Sequence, residues 1–365
     1  MSENKCSGGT KWAQEHRQVM VLLLVLLVMV GIVSPVFMGQ HDYPGDRNIY
    51  EPDQAEALPR AVEGSLDPDV EDLGDDVADD SGDVNPEHEL AAFQMPVVPE
   101  PDIHSMRIPG ILDHYTVVGY YGNPNSTRMG ILGEHSIERL AELLDERAQE
   151  FIGVNGDRGV KRAFHLIFGT VWPDANIGRL SRDLIMDYIT FARENDMIVI
   201  LDHQIGRFSV EQSIREMLPY LIEGPVHLAI DPEWRTSRPG EEIGWVYARE
   251  VNNIQQIIQD YLVEHGIFER RMLIVHQFHP KMIQNRDDVQ SHFPLVDLVL
   301  NADGFGPPAL KIASWSHNAG AENIPLQGFK LFYPKAWKSV GFDFPLMTPE
   351  EVMALKPQPV YINYQ

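Results

Sequence analysis

The most constraining feature of this chain is a series of short apolar segments that stop abruptly at titratable or amide side chains. The clearest are residues 197–204 (MIVILDHQ), 226–234 (VHLAIDPEW), 271–279 (RMLIVHQFH) and 296–306 (VDLVLNADGFG). Segments 117–122 (VVGYYG), 163–170 (AFHLIFGT), 328–333 (GFKLFY) and 359–365 (PVYINYQ) complete the set. Near-continuous apolarity marks strands covered on both faces, and helical stretches lie between most of them. Together these imply a parallel sheet wrapped by helices. Eight such units in about 260 residues predict a (β/α)8 barrel of the TIM type. In that fold the chemistry collects at the C-terminal ends of the strands. Asp202, His203, Asp231, Glu233, His276, Gln277, Asp303 and Lys330 fall at those ends.

Apolar residues at helical spacing predict helices over 135–152, 180–197, 210–224 and 244–266, with a short one near 348–355. Ser136, Ser181, Ser209 and Thr348 stand where N-caps belong. Glu351, three residues after Thr348, supplies the other half of a capping box. Gly224 with Pro225, and Gly266, are ordinary helix stops. No helix is expected after the last strand. The segment 106–115 (MRIPGILDHY) is expected to cover the barrel bottom instead.

The net charge of −25 is spread unevenly. Residues 41–105 hold 19 Asp or Glu against 2 Arg or Lys, whereas the first 40 residues are near +1. A chain this acidic lacks a phosphate-binding footprint, so nucleic acid is not an expected partner. Val19 to Val33 is uninterrupted apolar sequence, extending to Met38 if Ser34 and Pro35 are admitted. About 20 residues suffice to cross the hydrocarbon of a bilayer. Lys5, Lys11 and Arg17 precede the run, and Asp42 and Asp46 follow it. The positive-inside bias then places the N-terminus in the cytoplasm and the remainder outside. A cleaved signal peptide is the competing reading, but Phe37 would occupy the −3 position of a cut after Gly39, where a small residue belongs.

The expected organisation is a cytoplasmic tail (1–18), a transmembrane signal anchor (19–38), a disordered acidic linker (39–105) and the barrel (106–365). Low hydrophobicity, like charge and prolines describe the linker as a self-repelling spacer. Its Asp run is no EF-hand, since counting from Asp67 the sixth position holds Asp72 where Gly is required. The only cysteine, Cys6, precedes the anchor, so the barrel forms no disulfide and stands on its core alone.

Side chains alternate along a strand. In 226–234, Ala229, Asp231 and Glu233 therefore share the inward face, and Leu228 and Ile230 pack outward. The corresponding pairs are Asp202 with Gln204, and Asn301 with Asp303, where Gly304 and Gly306 let the backbone turn. In 271–279 either His276 or the pair Gln277 and His279 faces inward, and alternation does not decide. Asp202, Asp231, Glu233 and Asp303 form a candidate catalytic cluster. His203, Gln204, His276, Gln277, Lys330, Tyr120, Tyr121, Trp234 and Tyr333 are candidates for substrate binding. Carboxylates crowded into one mouth cannot all ionise freely, so at least one pKa rises. A protonated carboxyl beside an ionised one is the equipment for glycoside hydrolysis, and flat aromatic faces suit sugars.

From Tyr120 onward the chain resembles a family of secreted or membrane-anchored bacterial barrel proteins of unassigned activity. The resemblance is carried by YYGNP (120–124), MGILGE (129–134), ILDHQIGR (200–207), LAIDPEW (228–234), AREVN (248–252), VHQF (275–278), DGFG (303–306), GFKLFY (328–333) and YINYQ (361–365). It covers nearly the whole barrel and implies a fold more than a function. More distantly, the acid-x-acid at Asp231 and Glu233 is similar to that of glycosidase barrels such as muramidases and chitinases. The chain departs from chitinases in lacking their fuller run of spaced acids before the Glu, and His203 and His276 are not muramidase hallmarks.

The leading expectation is a membrane-anchored, extracytoplasmic glycoside hydrolase acting on cell-envelope or extracellular polysaccharide. Glu233 would be the general acid, Asp231 would orient and tune it, and Asp202 or Asp303 would be the second carboxylate. No cofactor or metal is part of that expectation; the partners are carbohydrate and, through the anchor, the membrane. One alternative is a metal-dependent hydrolase using Asp202, His203, Asp231, Glu233, His276 and His279. Another is a non-catalytic, envelope-binding barrel.

Overall fold

The computed structural model describes residues 102–334 and 341–365. The expected tail, the anchor over 19–38 and the linker up to residue 101 lie outside the described residues. Among the described residues, no helix is long and apolar enough to cross a membrane.

Among the described residues the short strand Ile177–Arg179 pairs antiparallel with the end of its predecessor at the sheet's margin, and eight parallel strands form the barrel: β1 (Tyr115–Gly122), β2 (Gly159–Val171), β3 (Ile198–His203), β4 (Val226–Ile230), β5 (Arg271–Gln277), β6 (Val296–Ala302), β7 (Leu326–Leu331) and β8 (Tyr361–Tyr364). Each pairs with its sequence neighbours, and β8 pairs with β1, so the sheet closes on itself. This is a closed (β/α)8-type barrel. Six helices follow strands: α1 (Ile137–Gln149), α2 (Arg182–Glu194), α3 (Val210–Met217), α4 (Ala248–Glu264), α5 (Pro308–Ala319) and α6 (Pro349–Met353). The β5–β6 connection carries the single turns Pro280–Met282 and Arg286–Asp288 and the two-residue strand Ile283–Gln284 in place of a helix.

The helix starts follow their caps. Ser136, Ser181 and Ser209 accept from the backbone N–H of Arg139, Leu184 and Gln212, and Thr348 and Glu351 form a reciprocal box. Two helices are shorter than their periodicity predicts, for local reasons. Pro219 cannot continue an α-helical ladder, so α3 ends at Met217 and a 3-10 turn runs over Leu218–Glu223. Val246–Tyr247 pairs with Ile283–Gln284 as a small parallel bridge, which delays α4 to Ala248.

The core has two parts. Helices pack on the outside of the strands through residues such as Leu140, Ile189, Ile214, Ile258 and Trp315. Inside the barrel floor, Val117, Ala163, Ile200, Ala229, Ile274, Val299 and Tyr361 meet Leu112, which enters from the segment preceding β1. That segment does cover the bottom: Arg158 Nη2 donates to Leu112 O at 2.8 Å, and Arg270 Nη1 donates to Ile108 O at 2.8 Å. Each buried aliphatic side chain contributes about 1.5–3 kcal/mol, so this plug seals and stabilises the barrel floor.

Above the floor the interior turns polar, and a lysine fixes the loops there. Lys311, in the first turn of α5, is buried and points at the carbonyls of Gly304 and Lys330, with Asp343 Oδ2 at 3.3 Å. Asp343 in turn accepts from Gly306 N at 3.0 Å and Phe332 N at 2.9 Å. The β6–α5 loop and the end of β7 are thereby tied to one buried ion pair.

Candidate active site

Strand alternation aims a set of polar side chains into the upper barrel. Tyr121 (β1), His165 (β2), Asp202 (β3), His276 (β5), Asn301 (β6), Lys330 (β7) and Asn363 (β8) are all buried there, with Asp231 and Asp303 just past the ends of β4 and β6. His276 Nδ1 donates to Asp303 Oδ2 at 2.7 Å, and Lys330 Nζ reaches the same oxygen at 3.2 Å. Asn301 Nδ2 donates to Asp303 Oδ1 at 2.5 Å. Tyr121 Oη donates to Asp202 Oδ2 at 3.0 Å, and its ring lies 3.7 Å beneath the Lys330 ammonium. Gly328 is needed on this face of β7, because a Cβ there would collide with the Asn301 side chain.

The electrostatics follow from crowding. Burial alone would raise the Asp303 pKa, but the charges and hydrogen bonds of His276 and Lys330 hold it at about 2. Burial opposes a charge on His276, yet Asp303 and Asp202 lift it to about 9. Asp231 lacks such support: burial raises it to about 7, with Asp202 and Asp303 adding to the rise against the pull of His276 and Lys330. Glu233 is raised further, to about 8, first by burial and then by the charges of Asp231 and Asp303. Asp231 and Glu233 titrate as a pair, so both keep their protons below about pH 7. The mouth thus combines protonated carboxyls with a carboxylate locked in its ionised form.

Glu233 reaches this position by a different route from simple alternation. Strand β4 ends at Ile230, and Pro232–Trp234 is a 3-10 turn capped by Asp231, whose Oδ1 accepts from Glu233 N at 3.2 Å. Glu233 and Trp234 are partly buried, at the boundary between the polar interior and solvent.

Six other residues considered for the mouth face elsewhere. His203 alternates outward: its Nδ1 accepts from Ile205 N at 2.9 Å and its Nε2 lies 3.5 Å from Glu216. Burial opposes ionisation of Glu216, but Arg179 and His203 bring its pKa down to about 2, which marks a structural ion pair. Gln204 ties loop to strand through Val171 N at 2.8 Å. Gln277 faces outward to Arg286 and His279, so His276 is the inward residue of that pair. His279 caps the following turn. Tyr120 donates to Leu143 O on the helix side, and Tyr333 stacks on Tyr364 beside Arg147.

Sequence reasoning missed His165, Tyr361 and Asn363. His165 Nδ1 lies 2.5 Å from Tyr361 Oη, and Asn301 Nδ2 donates to Asn363 Oδ1 at 3.4 Å. His165 and Asn363 sit inside their strands and Tyr361 opens β8, so none stands at a C-terminal strand end. A polar residue at an inward position of an otherwise apolar strand was the available signal. Donor atoms of His165, Asp202 and His276 lie within 4.8 Å of one another, close enough for a metal ion.

The chain is distantly similar in structure to glycoside hydrolase barrels. The ICChI chitinase of Ipomoea carnea aligns at 10% identity and a TM-score of 0.40, covering 68% of this chain and 93% of its own. The endo-β-1,4-glucanase Xac0029 of Xanthomonas axonopodis pv. citri aligns at 9% and 0.39, covering 71% and 88%. A β-D-glucuronidase of Dictyoglomus thermophilum aligns at 10% and 0.33, covering 67% and 43%. No protein-family model matches the sequence, and no curated protein does. The barrel assignment rests on the strand pairing of this chain itself.

Proposed function

We propose that the barrel is a glycoside hydrolase in which Glu233 is the general acid. The observation that carries this reading is the pairing of a protonated, partly accessible Glu233 with an Asp303 held ionised by His276 and Lys330. The first protonates a leaving oxygen, and the second sets the anionic field that stabilises positive charge developing on the sugar. Asp231, hydrogen-bonded to the Glu233 backbone, orients the turn and keeps the acid's pKa high. Exposed aromatics fit the same reading: Trp172, Trp245, Phe305 and Phe344 all lie in loops that follow strand ends, on the face where barrels bind substrate. Polysaccharide of the cell envelope or its surroundings is the substrate class.

The test is release of reducing ends from a panel of envelope and extracellular polysaccharides by the purified full chain. The pH profile carries the mechanism. The acid must hold its proton, so turnover is expected to persist through pH 6 and fall as pH rises through about 7 to 8, where the pair of Asp231 and Glu233 ionises. The Asp303 carboxylate ionises at about 2 and sets no limb above that. No release from any polymer, or a rate that stays flat to pH 9, contradicts the assignment.

The proposal includes a location, outside the cytoplasmic membrane, supported by the apolar run at 19–38 and the charges flanking it. Protease added to intact cells is expected to remove the barrel and spare the N-terminal tail; survival of the barrel defeats it.

A further inference from the structure

We propose that His165, Asp202 and His276 form a binding site for one divalent transition-metal ion of the zinc class inside the barrel. This goes beyond the glycosidase reading and does not depend on it.

Three observations on separate strands converge. First, the donor geometry is nearly that of a metal centre: His276 Nε2 lies 3.6 Å and His165 Nε2 3.9 Å from Asp202 Oδ2. Ligands about 2.1 Å from a tetrahedral ion stand roughly 3.4 Å apart; both histidine–carboxylate separations are close to that spacing, and all three ligand atoms lie within 4.8 Å of one another. Second, His165 Nε2, His276 Nε2 and Asp202 Oδ1 are fully buried and have no hydrogen-bond partner among the described residues. Separations of 3.6 and 3.9 Å are too long for the imidazoles to bond directly to the carboxylate. Buried polar atoms left in this state are costly unless something between them satisfies them.

Third, each imidazole is already engaged at its other nitrogen. His276 Nδ1 donates to Asp303 at 2.7 Å, and His165 Nδ1 meets Tyr361 Oη at 2.5 Å. A carboxylate on the far nitrogen keeps the Nδ1 proton in place, so an ion entering the site displaces the Nε2 proton of His276 and meets an inward lone pair, which is how metal-binding histidines are commonly oriented. With Nδ1–H directed at Tyr361, His165 presents Nε2 in the same way. Tyr121 Oη donates to the same Asp202 oxygen at 3.0 Å and so fixes the carboxylate. Two imidazoles and one carboxylate suit zinc, iron, cobalt or manganese rather than the all-oxygen shells of calcium or magnesium. Three protein ligands leave at least one coordination position for a further molecule.

The test uses the full chain freed of metal by chelation and titrated with Zn2+ against a chromogenic chelator. We expect one tightly bound equivalent and a raised thermal midpoint with Zn2+ but not with Mg2+. Asp202→Asn and His276→Gln should each lose that equivalent, and Asp303→Asn should weaken it about 10–100-fold, as removal of an outer carboxylate does. His279→Gln, altered at a turn outside the cluster, and Glu233→Gln should both retain it. Should the ligand variants fail to fold, the Cu2+ form of the wild-type protein still decides: its electron paramagnetic resonance should show coupling to two imidazole nitrogens. Absence of saturable Zn2+ binding by the wild type overturns the proposal and leaves a buried water as the bridging group. Retention of the equivalent by Asp202→Asn and His276→Gln places the ion elsewhere and overturns it equally. Because the readout is binding, its failure leaves the hydrolase reading intact, and failure of hydrolysis leaves the metal site intact.

Discussion

Glu233→Gln is expected to lower turnover by about 10² or more, the usual contribution of a positioned general acid, while leaving the fold in place. The amide preserves the shape of the Pro232–Trp234 turn, which is held by Asp231 through the Glu233 backbone rather than through its side chain. Stability shifts in a direction set by linkage. Glu233 has a folded pKa of about 8, above its ordinary value of 4.5, so the folded protein holds the proton through that interval and stability falls as pH rises across it. The glutamine cannot ionise and removes that loss. The variant should therefore match the wild type at pH 4 and exceed it at pH 9, as measured by thermal midpoint at the two pH values. A dead enzyme that is more stable in alkali identifies a strained functional acid. A variant equally destabilised at both pH values points to a structural carboxyl, and full turnover rules out the catalytic role.

Lys311→Met should have the largest effect on stability of any change outside the mouth. The methionine keeps the aliphatic stem but removes the ammonium, which lies 4.8 Å from the centre of the Phe329 ring and 5.2 Å from that of Phe332. Asp343 is then left buried with only backbone donors, and the carbonyls of Gly304 and Lys330 lose their partner. Breaking a buried pair from one side costs about 3–5 kcal/mol. For a domain of this size that lowers the thermal midpoint by roughly 10 °C. The double variant Lys311→Met with Asp343→Asn should recover part of the loss, because the stranded charge is gone. A drop below about 1 kcal/mol in chemical denaturation shows that the pair is dispensable.

The barrel was legible because its strands are apolar on both faces and break off at polar residues, and that pattern has few other solutions. Within the mouth, alternation correctly turned Asp202, Asp303 and Lys330 inward. It could not settle adjacent candidates. Tyr120 and Tyr121 are equivalent on paper, and only the pairing of Gly119 with Ala163 puts Tyr121 inside and Tyr120 against the helices. His203 follows Asp202 and is therefore forced outward, where Glu216 rather than substrate meets it. Alternation was also extended too far along β4, since Pro232 ends the strand geometry before Glu233. His165, Tyr361 and Asn363 escaped notice because a reading of C-terminal strand ends passes over the positions beneath them, where β2 contributes one polar side chain and β8 two.

Strand β8 has only four residues, yet it joins β7 to β1 and bridges sequence positions that are far apart: Val117 stands opposite Tyr361, and Tyr120 opposite Tyr364. Contacts of such long range form late, because the intervening chain must first be ordered. Until β8 docks, the sheet is an open ribbon with two unpaired edges, the state in which parallel sheets are most prone to stick to one another. The same strand delivers Tyr361 to His165 and Asn363 to Asn301. The contacts of Tyr361 with His165 and of Asn363 with Asn301 therefore cannot form until the barrel closes.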